Sequence, residues 1–233
     1  MSTTMNELEW MHSVDPDAML RFLQGQVDDR RLRLFACACC RRIWNLLDRP
    51  PSRWAVEVAE RYADGLATAK QRAAARTAAF PSAGEGDVRA SWAAYWAASF
   101  NIAESVWNAS TAASEAVARH ATRFISGGLP QVTAWEAGRD QERQAQASLL
   151  RDIFGNLVNP IEPQAHWGKA NGGAACKLAE VIYRERKFGE MTILADALED
   201  AGCEDEALLS HCRAPYPHVA GCWALDLFRG LSS

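Results

Sequence analysis

Three features of the chain predict an all-α fold. Apolar residues recur at helical spacing through most of its length, while the period-two alternation of strands hardly occurs. Helix punctuation is frequent: Asp15-Pro16 and Asp87 read as starts, Gly25 and Gly155 as stops. Alanine is abundant beside nine tryptophans, a mixture that packs large side chains into small-residue holes between close helices.

The elements follow in order. A loose entry segment, with Trp10 as its anchor, leads to a short helix through Met19, Leu20, Phe22 and Leu23. Asp28 or Asp29 caps the next helix, expected to reach Leu47; its middle, Leu32 to Cys40, is apolar nearly all round and predicts burial. Pro50-Pro51 forces a turn, and Ser52 is expected to cap a third helix through Trp54, Val58, Tyr62, Leu66 and Ala69. The segment from Pro81 to Gly86 reads as a loop. From Asp87 a stripe of Trp92, Trp96, Ala103, Val106, Ser110, Ala113, Val117, His120 and Phe124 predicts one helix of about 38 residues, roughly 57 Å long, with a bend at Asn101 or Asn108 as an option. Gly127-Gly128 ends it. A fifth helix is expected over 133–154, an irregular stretch over 156–173, a helix over 174–186, and then three short helices. The implied organisation is a bundle over 1–155 containing a long Ala/Trp-rich hairpin (about 52–126), a loop or linker over 156–173, and a compact helical cap over 174–233 packed on the bundle as one domain.

Composition bounds the function classes. The chain has 233 residues, 48% of them hydrophobic and 23% charged, with a net charge of -4, which argues against bulk DNA or an anionic membrane as the dominant partner. No secretory signal is visible in Met1 to Met11, and the longest uncharged run, Arg89 to Glu104, is too short for a bilayer. Seven cysteines cannot all pair within one chain, so reduced thiols and a cytoplasmic setting are expected.

One stretch gathers the candidate ligands. Cys203, His211, Cys212, His218 and Cys222 lie on or between the last three helices, and zinc takes four such ligands in a tetrahedron. His218 and Cys222, four apart, are expected on one helix face, with Cys212 folded back by the Pro215–Pro217 turn and Cys203 or His211 as the fourth ligand. The competing reading is plain packing, with cysteine as a small hydrophobe and histidine as a helix cap. Cys37 and Cys40 form a C-x-x-C in mid-helix with no preceding strand, which reads as core. Arg30, Arg31, Arg33, Arg41 and Arg42 read as a rim of carboxylate pairs, with nucleic-acid contact as the alternative. Trp92, Trp96, Trp107 and His120 are expected in the core, Asp196, Glu199 and Asp200 on a helix surface, and His166-Trp167 in the irregular loop. No nucleotide, phosphate-loop, metalloprotease or nucleophile-elbow motif is present.

The segments E-W-M-H-S-V-D-P-D-A-M-L-R-F-L, D-R-R-L-R-L-F-A-C-A-C-C-R-R-I-W, A-V-E-V-A-E-R-Y-A-D-G-L-A, L-L-R-D-I-F-G-N and L-A-D-A-L-E-D-A-G-C, with H-C-R and H-V-A-G-C-W-A-L-D-L after it, resemble a multi-copy family of uncharacterised helical proteins from Gemmata-like planctomycetes. The resemblance implies a bacterial cytoplasmic setting and transfers no functional residue. The leading functional expectation is a non-enzymatic protein-interaction or scaffold module, with a protein partner or self-association. The alternatives are a structural or catalytic zinc site on the C-terminal cluster and, more weakly, nucleic-acid binding through the Arg-flanked second helix, that of Leu32 to Cys40.

Overall fold

The computed structural model describes residues 4–81, 86–123, 125 and 128–231. Within them the chain forms twelve α-helices and no strand: α1 (Glu7–His12), α2 (Pro16–Leu23), α3 (Asp29–Arg42), α4 (Pro50–Ala63), α5 (Ala69–Ala78), α6 (Val88–Ala97), α7 (Ile102–Thr122), α8 (Gly128–Phe154), α9 (Ala165–Arg184), α10 (Met191–Glu199), α11 (Glu206–Cys212) and α12 (Trp223–Arg229). The fold is all-α, as predicted. The loop positions 82–85, Phe124 and Gly127 lie outside the described residues. No described helix is long and apolar enough to cross a membrane.

The chain divides into two compact units. One comprises His12–Leu150 with the few residues before Asn6; the other comprises Asn6–Met11 and everything from Arg151 onward. The division therefore falls inside the last turns of α8, and α1 joins the later part of the chain.

In the first unit α3 is the buried element. Every position from Leu32 to Cys40 is buried, Arg33 included. Asp28 caps it, its carboxylate accepting from the Arg31 amide at 2.8 Å. The helix ends at Arg42, five residues before the expected Leu47, because the chain turns at Ile43. Pro50 occupies the first turn of α4, where a missing N–H costs nothing, so the two prolines open the helix instead of preceding it. Ser52 is consequently no cap: it is fully buried, its hydroxyl 3.4 Å from that of Ser91 on α6.

Two expected long helices are each broken by a capping residue. The third stops at Ala63 before Gly65 at φ +72°, and Thr68 with Gln71 forms a capping box that starts α5. The expected 38-residue helix is divided between α6 and α7, because the Asn101 side chain caps α7. The apolar stripe persists at Val106, Ser110 and Ala113, whereas His120 is exposed and Trp92, Trp96 and Trp107 are half-buried. The fifth helix starts at Gly128, five residues earlier than expected.

A polar core joins α7, α8 and α3. Gln146 is fully buried; its Oε1 accepts from the Ser110 hydroxyl at 2.6 Å and its Nε2 donates to the Ser110 carbonyl at 3.1 Å. Glu142, one turn before, holds Arg42 with both oxygens at 3.0 and 3.1 Å.

The second unit is built on α9 to α12 with α1. The expected loop over 156–173 is partly helical: α9 begins at Ala165, is interrupted over Ala170–Gly173 by non-helical backbone, and resumes. Trp167 is buried within it. Trp10 is fully buried and its indole N–H donates to the Gly155 carbonyl at 2.7 Å. Gly155 takes φ +64°, and a Cβ there would meet the Trp223 ring at 3.1 Å, so both backbone and space demand glycine.

Replacing Gln146 with Leu leaves the Ser110 hydroxyl and the Glu142 carboxylate each one partner short in a buried setting. Urea denaturation is expected to show a loss of about 1–3 kcal/mol, against a change within about 0.5 kcal/mol for Glu136→Gln on the exposed face of α8.

Candidate metal centre

The C-terminal block brings three of its five candidate ligands together and recruits one from elsewhere. Asp152, His211, His218 and Cys222 are all buried, and one ligand atom from each lies within 4.8 Å of every other. Cys203 and Cys212 are buried but stand outside this group. All seven cysteines are free.

Each side chain arrives by a local cause. Asp205 caps α11, accepting from the Leu208 amide at 2.9 Å, and α11 carries His211 near its end. The chain then passes Pro215 and Pro217 and makes a tight turn in which the Cys222 amide donates to the Val219 carbonyl at 3.0 Å. His218 and Cys222 are therefore not on one helix face: α12 begins at Trp223, with Cys222 as its cap position. The turn, not a helical repeat, brings the Cys222 thiol to 3.8 Å from His218 Nδ1. Asp152 comes from the last turn of α8. Its Oδ1 lies 2.6 Å from His218 Nδ1 and its Oδ2 accepts from the Val219 amide at 3.0 Å.

His211 completes the group. Its Nε2 is 3.2 Å from Cys222 Sγ and 3.5 Å from Asp152 Oδ1. Its Nδ1 faces the Tyr216 hydroxyl at 2.9 Å and the Trp223 indole N–H at 3.2 Å. An indole N–H only donates, so Nδ1 is assigned as an acceptor and the His211 proton to Nε2. Nε2 of His218 is buried and has no partner.

Burial dominates the electrostatics. It lowers His211 to about 3, helped by His218, so this imidazole is neutral at pH 7. It raises Asp152, against the opposing pull of the His218 hydrogen bond, and it raises the Cys222 thiol well above its ordinary range. Cys212, outside the group, is pushed up to about 12 by burial.

The spacing suits a tetrahedral ion. With zinc–nitrogen and zinc–oxygen bonds of about 2.0–2.1 Å and zinc–sulfur bonds of about 2.3 Å, a tetrahedron has ligand–ligand edges of about 3.3 Å for N/O pairs and about 3.6 Å for N/S pairs. Three of the six edges, at 3.2, 3.5 and 3.8 Å, match within about 0.4 Å. The 2.6 Å contact between His218 and Asp152 is a hydrogen bond and has to open. A pocket of about 440 Å³, bordered by Met191, Cys212, Tyr216, Pro217 and His218, lies alongside.

The other sequence candidates resolve differently. Arg30 pairs with Asp64, Arg31 with Asp28, Arg41 with Glu60 and Arg42 with Glu142, the rim of carboxylate pairs that was expected. Arg33 is the exception and is buried. Cys37, Cys39 and Cys40 are core residues with thiols raised by burial. Asp196 and Glu199 share Arg213 on the surface. No protein-family model matches the chain, and neither does any curated protein or solved structure.

His211 binds its proton more weakly in the folded protein than in the unfolded chain. Its contribution to stability is whole above the ordinary value of 6.5 and is lost as pH falls toward about 3. Asp152, raised by burial, acts in the opposite sense: its contribution is present at low pH and is lost as pH rises through its folded value. Comparison with His211→Gln isolates the first effect. Between pH 7 and pH 4 the melting temperature of the parent is expected to fall more steeply than that of the variant; parallel curves would refute the assignment.

Proposed function

We propose that the second unit is a metal-binding helical module, with zinc held by Asp152, His211, His218 and Cys222. The observation that supports this reading is the convergence of four ligand-type side chains, all buried, with three of their six separations near the edges of a tetrahedron. Two nitrogens, one thiolate sulfur and one carboxylate oxygen form a donor set that suits zinc better than magnesium or calcium.

The role is structural. Four protein ligands close the coordination sphere and leave no position for a substrate or an activated water. An ion here ties the last turn of α8, the end of α11 and the turn before α12 to one point. Its binding free energy adds to the stability of that arrangement. With zinc on Nε2 the His211 proton moves to Nδ1, and the Tyr216 oxygen becomes its acceptor. The Trp223 indole N–H then turns away, which makes this tryptophan a reporter of binding.

A second reading, a protein-contact face, is favoured by one feature of the first unit. Phe80, Trp92, Tyr95 and Trp96 form a connected aromatic cluster with centroid separations of 5.2–6.2 Å, and Phe80 is 53% exposed. Trp and Tyr dominate binding hot spots.

Protein purified without added metal is expected to carry about one zinc per chain by elemental analysis. Cys222→Ser or Asp152→Asn should weaken zinc affinity by about 10-fold or more, while Cys203→Ser should leave it unchanged. Zinc titration should alter tryptophan emission in the parent and not in Trp223→Phe. A zinc content below half an equivalent, not restored by added zinc, would remove the proposal.

A further inference from the structure

Several arginines of the first unit hold carboxylates: beyond the four pairs around α3, Arg143 holds Asp15 and Asp17, and Arg89 holds Glu115. Others donate to carbonyls, as Arg53 does to Leu47 and Trp44 and Arg61 to Leu66, and three stand out by burial and by the side chains they share. Arg33 on α3 and Arg72 on α5 are each only 4% exposed, and Arg76, one turn beyond Arg72, is half-buried. None of them pairs with a carboxylate among the described residues.

Their partners are carbonyls and rings. Arg33 Nη1 donates to the Ala97 carbonyl at 3.0 Å and to the Ser99 carbonyl at 2.8 Å. Arg72 Nη1 donates to the Ala98 carbonyl at 3.1 Å and to the same Ser99 oxygen. Two guanidiniums thus converge on one oxygen at the C-terminal end of α6. Arg76 donates to the Tyr95 hydroxyl and lies over its ring at 4.3 Å. The Tyr62 ring faces both Arg33 and Arg72, at 5.3 and 4.6 Å, and Phe100, 82% exposed, stands 5.6 Å from Arg72.

The charge does not balance. A helix C-terminus offers about half a negative charge, against three cations. Asp29 acts on Arg33 through space without forming an ion pair. The Nε groups of Arg72 and Arg76 are buried and have no acceptor. Buried positive charge of this kind is costly unless an anion meets it.

We propose that Arg33, Arg72 and Arg76 form a binding site for a small dianionic oxyanion, either inorganic phosphate or a phosphate monoester. Guanidinium forks match phosphate oxygens in pairs, and a dianion offsets two of the three charges where a carboxylate offsets one. The exposed Phe100 ring at the edge of the cluster suits a monoester that carries an apolar group. This site uses no residue of the metal centre, and the two stand or fall separately.

The test is titration calorimetry of the full chain with inorganic phosphate, phenyl phosphate and acetate at constant ionic strength. One saturable site for phosphate is expected, tighter than for acetate. Tighter binding of phenyl phosphate than of inorganic phosphate identifies the monoester as the ligand; equal binding identifies the free ion. Arg76→Met, the least buried of the three changes, should weaken phosphate about tenfold with helicity retained. Arg72→Lys, which keeps the charge and loses the fork, should also weaken it, and Arg30→Met should not. The proposal is overturned by no saturable binding up to about 50 mM phosphate, by acetate binding as tightly as phosphate, or by unchanged affinity in folded Arg76→Met and Arg72→Lys proteins.

Discussion

Asp152 precedes His218 by 66 residues, and both of its carboxylate oxygens are engaged, one by the His218 imidazole and one by the Val219 amide. The second unit depends on this carboxylate. It fixes the turn from His218 to Cys222, and that turn sets where α12 begins. Leaving a buried polar group without its hydrogen-bond partner typically costs about 1–3 kcal/mol, an appreciable fraction of what holds a domain of this size together. The same carboxylate is the acidic member of the buried group that it forms with two imidazoles and a thiol.

The first unit handles buried polarity differently. Gln146 and the serines of α7 satisfy one another within a closed network, and Glu142 holds Arg42 at its edge. Ordinary packing supplies the rest, with alanines on α6 and α7 letting the two helices approach closely. Arg33 and Arg72 work on the backbone instead, closing the carbonyl end of α6 where the expected continuous helix is interrupted.

Helical class, most element positions and the buried nature of α3 were legible because apolar spacing reports them directly. The two breaks were harder, since the apolar stripes continue past them. The signals were nonetheless written in residues: Thr68 with Gln71 three positions on, and Asn101 ahead of Glu104. At the candidate site, His211, His218 and Cys222 were legible as ligand types crowded into one stretch. Asp152 was not, since a carboxylate beside Arg151 near a helix end resembles surface charge. Its one local mark is an acid set among Leu149, Leu150, Ile153 and Phe154, all of which are buried. The approach of His218 to Cys222 was anticipated for the wrong reason, because a turn does what a helix face was expected to do.

The bond from the Trp10 indole to the Gly155 carbonyl joins residues 145 apart and makes the second unit discontinuous along the chain. This bears on the order of events during synthesis. At about 5–20 residues per second, the Trp10 segment waits roughly 7–30 s for its acceptor to be made. The first unit runs to Leu150 and is itself complete only five residues before Gly155, so the segment waits through nearly all of that unit's synthesis. A large indole without its native site is a hazard over seconds, and the polar residues around it (Asn6, Glu7 and Glu9 before, His12 and Ser13 after) keep the waiting segment soluble.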